Sequence, residues 1–289
     1  MNTFRLTARN CLQRAIRSSG AFTLLELLVV LAVISLLASI MFPALSRSQP
    51  LTRAAQCANN NRQLCHAWRM YADDSRDQIV YASDDGSGSA NPLNQYAWTQ
   101  AHLDRSPVNR VNWDTSYVTN APLWPYSHGS LSIYRCPSDR SSVLVNGSPL
   151  PRTRSFSMNV YLGGFASTDG GWPFMASYRI FLKTTDLTAP GPASTFVFLD
   201  QRPDSINWGN FLTEMSGFSP PNDSLYNLQD VPGYFHDGGS TVSFADCHVE
   251  LKRWSDPRTT PPTVTVGAQV ASPRNPDIGW LQHRATSLK

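Results

Sequence analysis

Five side chains able to bind a metal or exchange protons are concentrated near the C-terminal end of this 289-residue chain. They are His236, Asp237, Asp246, His248 and Glu250. The last three alternate along the sequence, so they share one face of a β-strand and could bind zinc. The competing interpretation is that His236 is hydrogen-bonded within a hairpin and the others face solvent, as such residues usually do. We adopt it and expect no metal and no cofactor.

Familiar catalytic motifs are missing from the sequence. It contains no His-Glu-x-x-His, no Gly-x-Ser-x-Gly, no Gly-rich phosphate loop and no Cys-x-x-Cys. The sequence therefore predicts a protein that is not an enzyme. A membrane-tethered metal-dependent hydrolase that uses the histidines and carboxylates near the C-terminus is kept as an alternative.

A long apolar run extends from Phe22 to Phe42 and has one charged residue, Glu26. At about 1.5 Å per residue this run forms a helix of about 32 Å, close to the ~30 Å thickness of the bilayer hydrocarbon. The run therefore predicts a single transmembrane helix over residues 22–42. A carboxylate inside such a span is costly, so we expect Glu26 to have a positively charged partner.

The segment before this run is basic. Its four charged residues are arginines, at positions 5, 9, 14 and 17. Positive charge before a membrane span predicts that this segment stays in the cytoplasm and that the chain beyond the span lies outside. Removing these four from the 24 Lys and Arg leaves 20 basic against 21 acidic side chains, a net charge of −1. Without an excess of positive charge, no nucleic-acid partner is expected.

The junction between the basic segment and the apolar run resembles the N-terminal signature of the type IV pilin superfamily, which includes prepilins and type II secretion pseudopilins. That signature is a small residue, usually Gly, followed by Phe-Thr-Leu-Ile-Glu. Here Phe22 is followed by Thr-Leu-Leu-Glu, with Leu25 where Ile is common, while Ala21 precedes Phe22 and Gly20 lies one place earlier. Cleavage after Gly20 would make Glu26 the sixth mature residue, so we expect the cut between Ala21 and Phe22.

The resemblance implies a function in assembly. A prepilin peptidase would remove the leader, residues 1–21, and the new amine of Phe22 would be methylated. Glu26 would neutralise the N-terminus of a neighbouring subunit in a type IV pilus or a type II secretion pseudopilus. The implied partners are other pilin-like subunits, the peptidase and the inner-membrane assembly platform. The protein would cross the cytoplasmic (inner) membrane once and then enter a periplasmic or surface filament.

The remaining chain predicts an α+β protein in which a long N-terminal helix, residues 22–75, packs on an antiparallel sheet. Pro43 and Pro50 predict a bend or local unwinding of that helix. Beyond it, an amphipathic stripe recurs at spacings of three, four and seven. Its members are Leu51, Ala54, Ala55, Ala58, Cys65, Trp68 and Ala72. Residues 76–289 are predicted to form a β-rich extracytoplasmic domain.

The segment 234–254 resembles the His-x9-Asp-Gly segment of pilin-like proteins of planctomycete and verrucomicrobial type, with His236 and Asp246 in the matching positions. It predicts a β-hairpin with a tight turn at Asp246 and Cys247. Cys247 stands where those proteins have Gly. A type I′ turn needs positive φ at both central positions, so we expect either another turn type or a turn held by a bond.

Four cysteines follow the predicted leader: Cys57, Cys65, Cys136 and Cys247. An oxidising compartment favours disulfides, although four buried thiols are an equal alternative. Cys57 and Cys65 would be about 12 Å apart on one helix, too far to bond each other. The resemblance is stronger around Cys57 and Cys136, which favours Cys57 with Cys136 and Cys65 with Cys247.

Two further features carry alternatives. The loop 83–89 begins with acidic residues and could bind calcium, but it lacks further oxygen ligands, so a solvated loop is expected. Tryptophans could stack on sugars and make the outer domain a membrane-anchored carbohydrate-binding adhesin, or they could fill the core. These tryptophans are Trp98, Trp113, Trp124, Trp172 and Trp208.

Overall fold

The structure, a computed structural model, describes residues 23–166 and 176–289, and residues 40–50 by their backbone alone. The chain divides into two compact units, residues 1–48 and 49–289. The predicted leader, the cleavage residues Ala21 and Phe22, and Trp172 lie outside the described residues.

Three α-helices and nine β-strands form the regular structure of these residues. The helices are α1 (Leu24–Asp74), α2 (Ser116–Thr119) and α3 (Pro276–Ala285). The strands are β1 (Ser142–Val145), β2 (Ser148–Pro151), β3 (Phe156–Asn159), β4 (Phe196–Asp200), β5 (Asn210–Phe211), β6 (Asn227–Leu228), β7 (Gly239–Phe244), β8 (Val249–Arg253) and β9 (Val270–Ala271). Short 3-10 helices occupy Gly88–Ala90, Pro92–Tyr96, Arg110–Asn112, Trp124–Ser127, Leu131–Tyr134, Thr184–Asp186, Pro192–Ser194, Asp223–Leu225 and Pro257–Thr259.

A five-stranded sheet with the order β5-β3-β4-β7-β8 forms the centre of the 49–289 unit. Its β3–β4, β4–β7 and β7–β8 pairs are antiparallel, but β3 and β5 are parallel, with Met158 opposite Asn210. The predicted α+β class is confirmed. The predicted antiparallel sheet is confirmed for three of its four strand pairs, whereas β5 joins β3 in parallel after a long connection.

Helix α1 from residue 57 onward packs on this sheet. Leu64 and Trp68 are fully buried in a cluster that includes Met158 of β3 and Phe198 of β4. The amide of Asn61 donates to the carbonyls of Phe198 and Thr241, at 3.4 and 3.2 Å. The contact therefore combines apolar packing with hydrogen bonds to two adjacent strands.

The buried face of α1 differs from the predicted stripe at its beginning. Cys65, Trp68 and Ala72 are buried as predicted, whereas Leu51 and Ala55 are exposed. Cys57, Asn60, Asn61 and Leu64 are buried instead. Asn60 and Asn61 belong to the buried face, so a search for apolar residues alone places that face incorrectly. The helix continues through Pro43 and Pro50 and ends at Asp74, so the predicted unwinding is not found in its backbone.

A second buried cluster covers other residues of the same sheet. Phe196 and Leu199 of β4 pack with Leu281 and Ala285 of α3. All five residues of β4 are buried. This strand therefore has core on both sides, which is the structural reason for the unbroken apolar sequence of residues 196–199.

Residues 245–248 join β7 to β8, and the turn at their start is closed by backbone hydrogen bonds. The Cys247 N–H donates to the Phe244 carbonyl at 2.7 Å, and the Phe244 N–H donates to the His248 carbonyl at 3.0 Å. Cys247 has φ of +68°, while Asp246 is not among the residues with positive φ. This is a type I turn followed by one left-handed residue, rather than the two-residue turn at Asp246 and Cys247. The alternative of another turn type is the one observed.

Candidate functional site

The start of α1 is closed by reciprocal hydrogen bonds between Thr23 and Glu26. The Thr23 N–H donates to the Glu26 Oε2 at 2.8 Å, and the Glu26 N–H donates to the Thr23 Oγ1 at 3.2 Å. The Thr23 hydroxyl also donates to Glu26 Oε2, at 2.8 Å. This capping box satisfies two backbone donors that a helix N-terminus leaves unpaired. It fixes the carboxylate against the first residues of the helix, next to Phe22 in sequence.

The part of α1 that follows exposes an unbroken apolar surface. Its large apolar side chains are all exposed: Leu24, Leu25, Leu27, Leu28, Val29, Val30, Leu31, Val33, Ile34, Leu36 and Leu37. They occupy every side of the helix, since the run is continuous in sequence. A helix that is apolar all round is stable only when lipid or other helices cover it.

No helix among the described residues is both long enough and apolar enough to cross a membrane. The predicted span 22–42 extends past those residues, because Phe22 and the side chains of residues 40–42 are not described. The transmembrane assignment therefore stays a prediction.

Comparison with known protein families gives one match, and it includes the beginning of α1. Residues 16–42 match the prokaryotic N-terminal methylation motif. The chain carries the substrate signature of a prepilin peptidase. The methylation motif includes Ala21, Phe22 and Glu26, and it supports a likeness to type IV pilins over this segment. No curated protein and no solved structure matches the chain.

The resemblance of segment 234–254 lies beyond the methylation motif and stays a prediction. Its residues do not form one site. Asp246 accepts from His248 Nδ1 at 2.5 Å, and His248 Nε2 lies 3.5 Å from Glu250, all three being partly exposed. Asp237 pairs with Arg253 at 2.8 Å. His236 is elsewhere, buried in the core.

His236 belongs to a buried group of four ligand-type side chains, called here the Cys–Asp–His cluster. Its members are Cys57, Cys136, Asp200 and His236. One ligand atom from each lies within 4.8 Å of all the others. The residues are at most 4% exposed. They come from α1, the turn after Leu131–Tyr134, the end of β4 and the segment before β7, so only the folded chain brings them together.

Hydrogen bonds give this cluster a defined geometry. His236 Nε2 lies 3.1 Å from the Cys136 Sγ and 3.8 Å from the Asp200 Oδ2. The Cys57 thiol donates to Asp200 Oδ1 at 3.4 Å. Asp200 Oδ2 accepts from both the N–H and the hydroxyl of Thr241, each at 2.8 Å. The His236 side chain thus contacts the core, and the predicted hydrogen bond within its own hairpin is wrong for that side chain.

Burial governs the protonation of the cluster. It raises the pKa of Asp200 to about 6, against the opposing effect of the two Thr241 hydrogen bonds. It lowers the pKa of His236 and raises that of the Cys57 thiol well above its usual value. Each shift disfavours a charged side chain, because the low-dielectric core solvates charge poorly.

Asn60 of α1 positions the segment that contains Cys136. The Asn60 amide donates to the carbonyls of Ser132 and Arg135, at 2.8 and 3.0 Å. The Cys136 N–H donates to the Ser155 hydroxyl at 2.6 Å. These contacts hold the segment containing Cys136 against the helix turn that contains Cys57. The run of asparagines at 59–61 was visible in the sequence, but its partners were not.

The second pair of cysteines joins Cys65, about two helix turns beyond Cys57 on α1, with Cys247 of the loop between β7 and β8. The Cys65 thiol donates to the Phe244 carbonyl at 3.2 Å, and the Cys247 thiol is close enough to perturb the pKa of Cys65. Burial raises the pKa of the Cys65 thiol. All four described cysteines are free thiols. The structure nevertheless places each thiol beside the partner favoured from the sequence, and the two disulfides stay predictions.

Cys247 occupies a backbone conformation that suits glycine, which leads to a testable prediction. Replacing Cys247 by Gly or by Ala removes the same thiol, but alanine must still adopt a positive φ. The Gly variant should therefore be the more stable by about 1 kcal/mol. Thermal unfolding of the two purified variants measures the difference. Equal stability, or a more stable Ala variant, would show that the positive φ at position 247 does not destabilise the turn.

The remaining alternatives can be placed on the structure. In the loop 83–89, the Asp85 carboxylate accepts hydrogen bonds from Ser87, Asn91 and Asn94. Those donors, led by the Ser87 hydroxyl, lower its pKa. The carboxylate is thus engaged within its own loop. Trp98 is fully buried, and Trp113, Trp124 and Trp208 are partly buried, so none of these four offers an exposed stacking face.

Proposed function

We propose that this chain is a pilin-like structural subunit. A prepilin peptidase removes residues 1–21, the amine of Phe22 is methylated, and α1 then assembles the protein into a type IV pilus or a type II secretion pseudopilus. The observation that carries the proposal is the match of residues 16–42 to the methylation motif. From Leu24 onward the matched segment is helical, and its large apolar side chains up to Leu37 are exposed.

The same helix serves two environments in this proposal. Before assembly, residues 22–42 span the inner membrane, with the basic leader in the cytoplasm and residues 76–289 outside. After assembly, neighbouring α1 helices replace the lipid. The apolar side chains remain covered in both states, which is the condition for such a helix to be stable.

Glu26 has a specific task in the filament. Its carboxylate is fixed by Thr23 at the beginning of the helix, next in the chain to the amine that cleavage creates. A buried carboxylate is tolerable only beside a positive charge. The α-amine of a neighbouring subunit supplies that charge, and the pairing sets the axial register between subunits.

The presence of the chain in filaments tests this proposal. Filaments sheared or extracted from cells that make the prepilin peptidase should contain the protein, detected by an antibody against the 49–289 unit. In cells without the peptidase, we expect it to stay in the membrane. Recovery of the protein only outside filaments, although its leader has been removed, would contradict an assembly function.

A further inference from the structure

The Cys–Asp–His cluster has the composition and the closeness of a zinc site. Thiolate sulfur and imidazole nitrogen are preferred zinc ligands, and carboxylate oxygen is a common fourth. Thiolates disfavour magnesium and calcium, which prefer oxygen ligands throughout. We propose that this cluster binds one zinc ion with a structural role. The proposal does not depend on the assembly function above.

The ligand atoms lie within 4.8 Å of one another, and the three separations below are close to those of a tetrahedral site. With Zn–S of about 2.3 Å and Zn–N or Zn–O of about 2.0–2.1 Å, adjacent ligand atoms in a tetrahedron are about 3.3–3.8 Å apart. The Cys57 Sγ to Asp200 Oδ1 distance is 3.4 Å. The distances from His236 Nε2 are 3.1 Å to Cys136 Sγ and 3.8 Å to Asp200 Oδ2. Side-chain shifts of about 1 Å or less would therefore complete the coordination.

Surrounding donors already orient two of the four ligands. Thr241 donates twice to Asp200 Oδ2, which leaves Oδ1 directed at the Cys57 sulfur. The Ser138 N–H donates to the Cys136 sulfur at 3.4 Å, a contact that stabilises a thiolate. Such secondary contacts fix ligand orientation in metal sites.

Zinc binding would release two protons. Each cysteine thiol loses its proton to solvent as its sulfur bonds the ion, while the Asp200 carboxylate and the His236 Nε2 donate lone pairs. No electron transfer is involved. The positive ion would offset the negative charge of the two thiolates and the Asp200 carboxylate. Four protein ligands, all buried, leave no open position for a substrate, so the site is structural.

The zinc site would join four segments that are distant in sequence. It would attach α1 to the turn at Cys136, to the end of β4 and to the segment before β7. The loops between these segments contain little regular structure. A metal is a common way to stabilise such a region, because its binding energy contributes directly to folding. Zinc and a Cys57–Cys136 disulfide exclude each other, since both use the same two sulfurs.

Metal analysis of the full-length chain tests the proposal. The protein is extracted in detergent without chelator or reductant, and we expect one zinc per chain. Cys136→Ser should lose the zinc. Cys65→Ser, which changes a buried thiol of the second pair, should retain it. Equal zinc in the wild type and Cys136→Ser would indicate an adventitious surface ion and overturn the proposal, as would zinc loss from Cys65→Ser.

Two measurements on the wild type keep the proposal testable if Cys136→Ser does not accumulate. Protein produced with cobalt in place of zinc should show the intense visible bands and the thiolate charge-transfer absorption of tetrahedral cobalt(II). Peptide mapping under non-reducing conditions should recover Cys57 and Cys136 unlinked. Absence of the cobalt bands, or a linked peptide containing both cysteines, would overturn the zinc site.

Discussion

Replacing Glu26 by glutamine should abolish filament assembly while the protein still enters the membrane. Glutamine keeps an oxygen that can accept from the Thr23 N–H, so the start of α1 is preserved. It removes the negative charge that would pair with a neighbouring amine. Leaving that amine buried and unpaired costs about 3–5 kcal/mol per subunit contact, which weakens subunit addition at least about a hundredfold.

The measurement is the amount of the protein in isolated filaments relative to the amount in membranes. Glu250→Gln is the matched control, because it removes one negative charge from an exposed position on β8. We expect wild-type assembly from this control. Wild-type filament levels from Glu26→Gln would show that charge pairing at this position is not required.

Replacing Arg154 by methionine should severely destabilise the 49–289 unit. Arg154 is 1% exposed and its guanidinium donates to the carbonyls of Phe156, Asn207 and Trp208. It also lies over the ring of Trp98, 5.5 Å from the ring centre. Burial lowers the pKa of Arg154 to about 9, which leaves it charged at neutral pH.

Methionine fills similar space but donates no hydrogen bond, so three carbonyls lose the guanidinium donor, and the Asn207 carbonyl keeps the Leu103 N–H. We expect a loss of about 3–5 kcal/mol, which is a large part of the total stability of an ordinary domain, and a melting temperature about 10 °C lower. Tryptophan fluorescence during heating measures it. Arg253→Met is the control: its exposed pair with Asp237 should contribute at most about 1 kcal/mol. Similar losses from both variants would contradict the role of Arg154.

Features set by local sequence could be predicted well. The capping box at Thr23 and Glu26 needs only residues three apart, and the apolar run that follows needs only composition. The buried strand β4 is likewise a local feature, because residues 196–199 form an unbroken apolar run. Alternation along residues 239–253 similarly reflects a hairpin whose two strands are adjacent in sequence.

Features that depend on distant segments could not be predicted. Strand β5 has only two residues, too few for a pattern, and its parallel pairing with β3 follows a long irregular connection. The sequence pattern places His236 and Asp246 in one segment. The six-residue strand β7, about 20 Å long, lies between them and keeps them apart. In the sequence, Asp200 stands out only as the residue that ends the apolar run 196–199. A carboxylate as the last residue of a fully buried strand was the available signal for the Cys–Asp–His cluster.

The N-terminal residue of the mature protein tests the central claim most directly. Mass spectrometry of the N-terminal peptide, from protein extracted from membranes of cells with an active prepilin peptidase, should show a chain that begins at Phe22 with a methylated amine. The peptide from cells without the peptidase should retain the leader. A chain that still carries residues 1–21 in both strains would contradict the proposal that this protein is a processed pilin-like subunit.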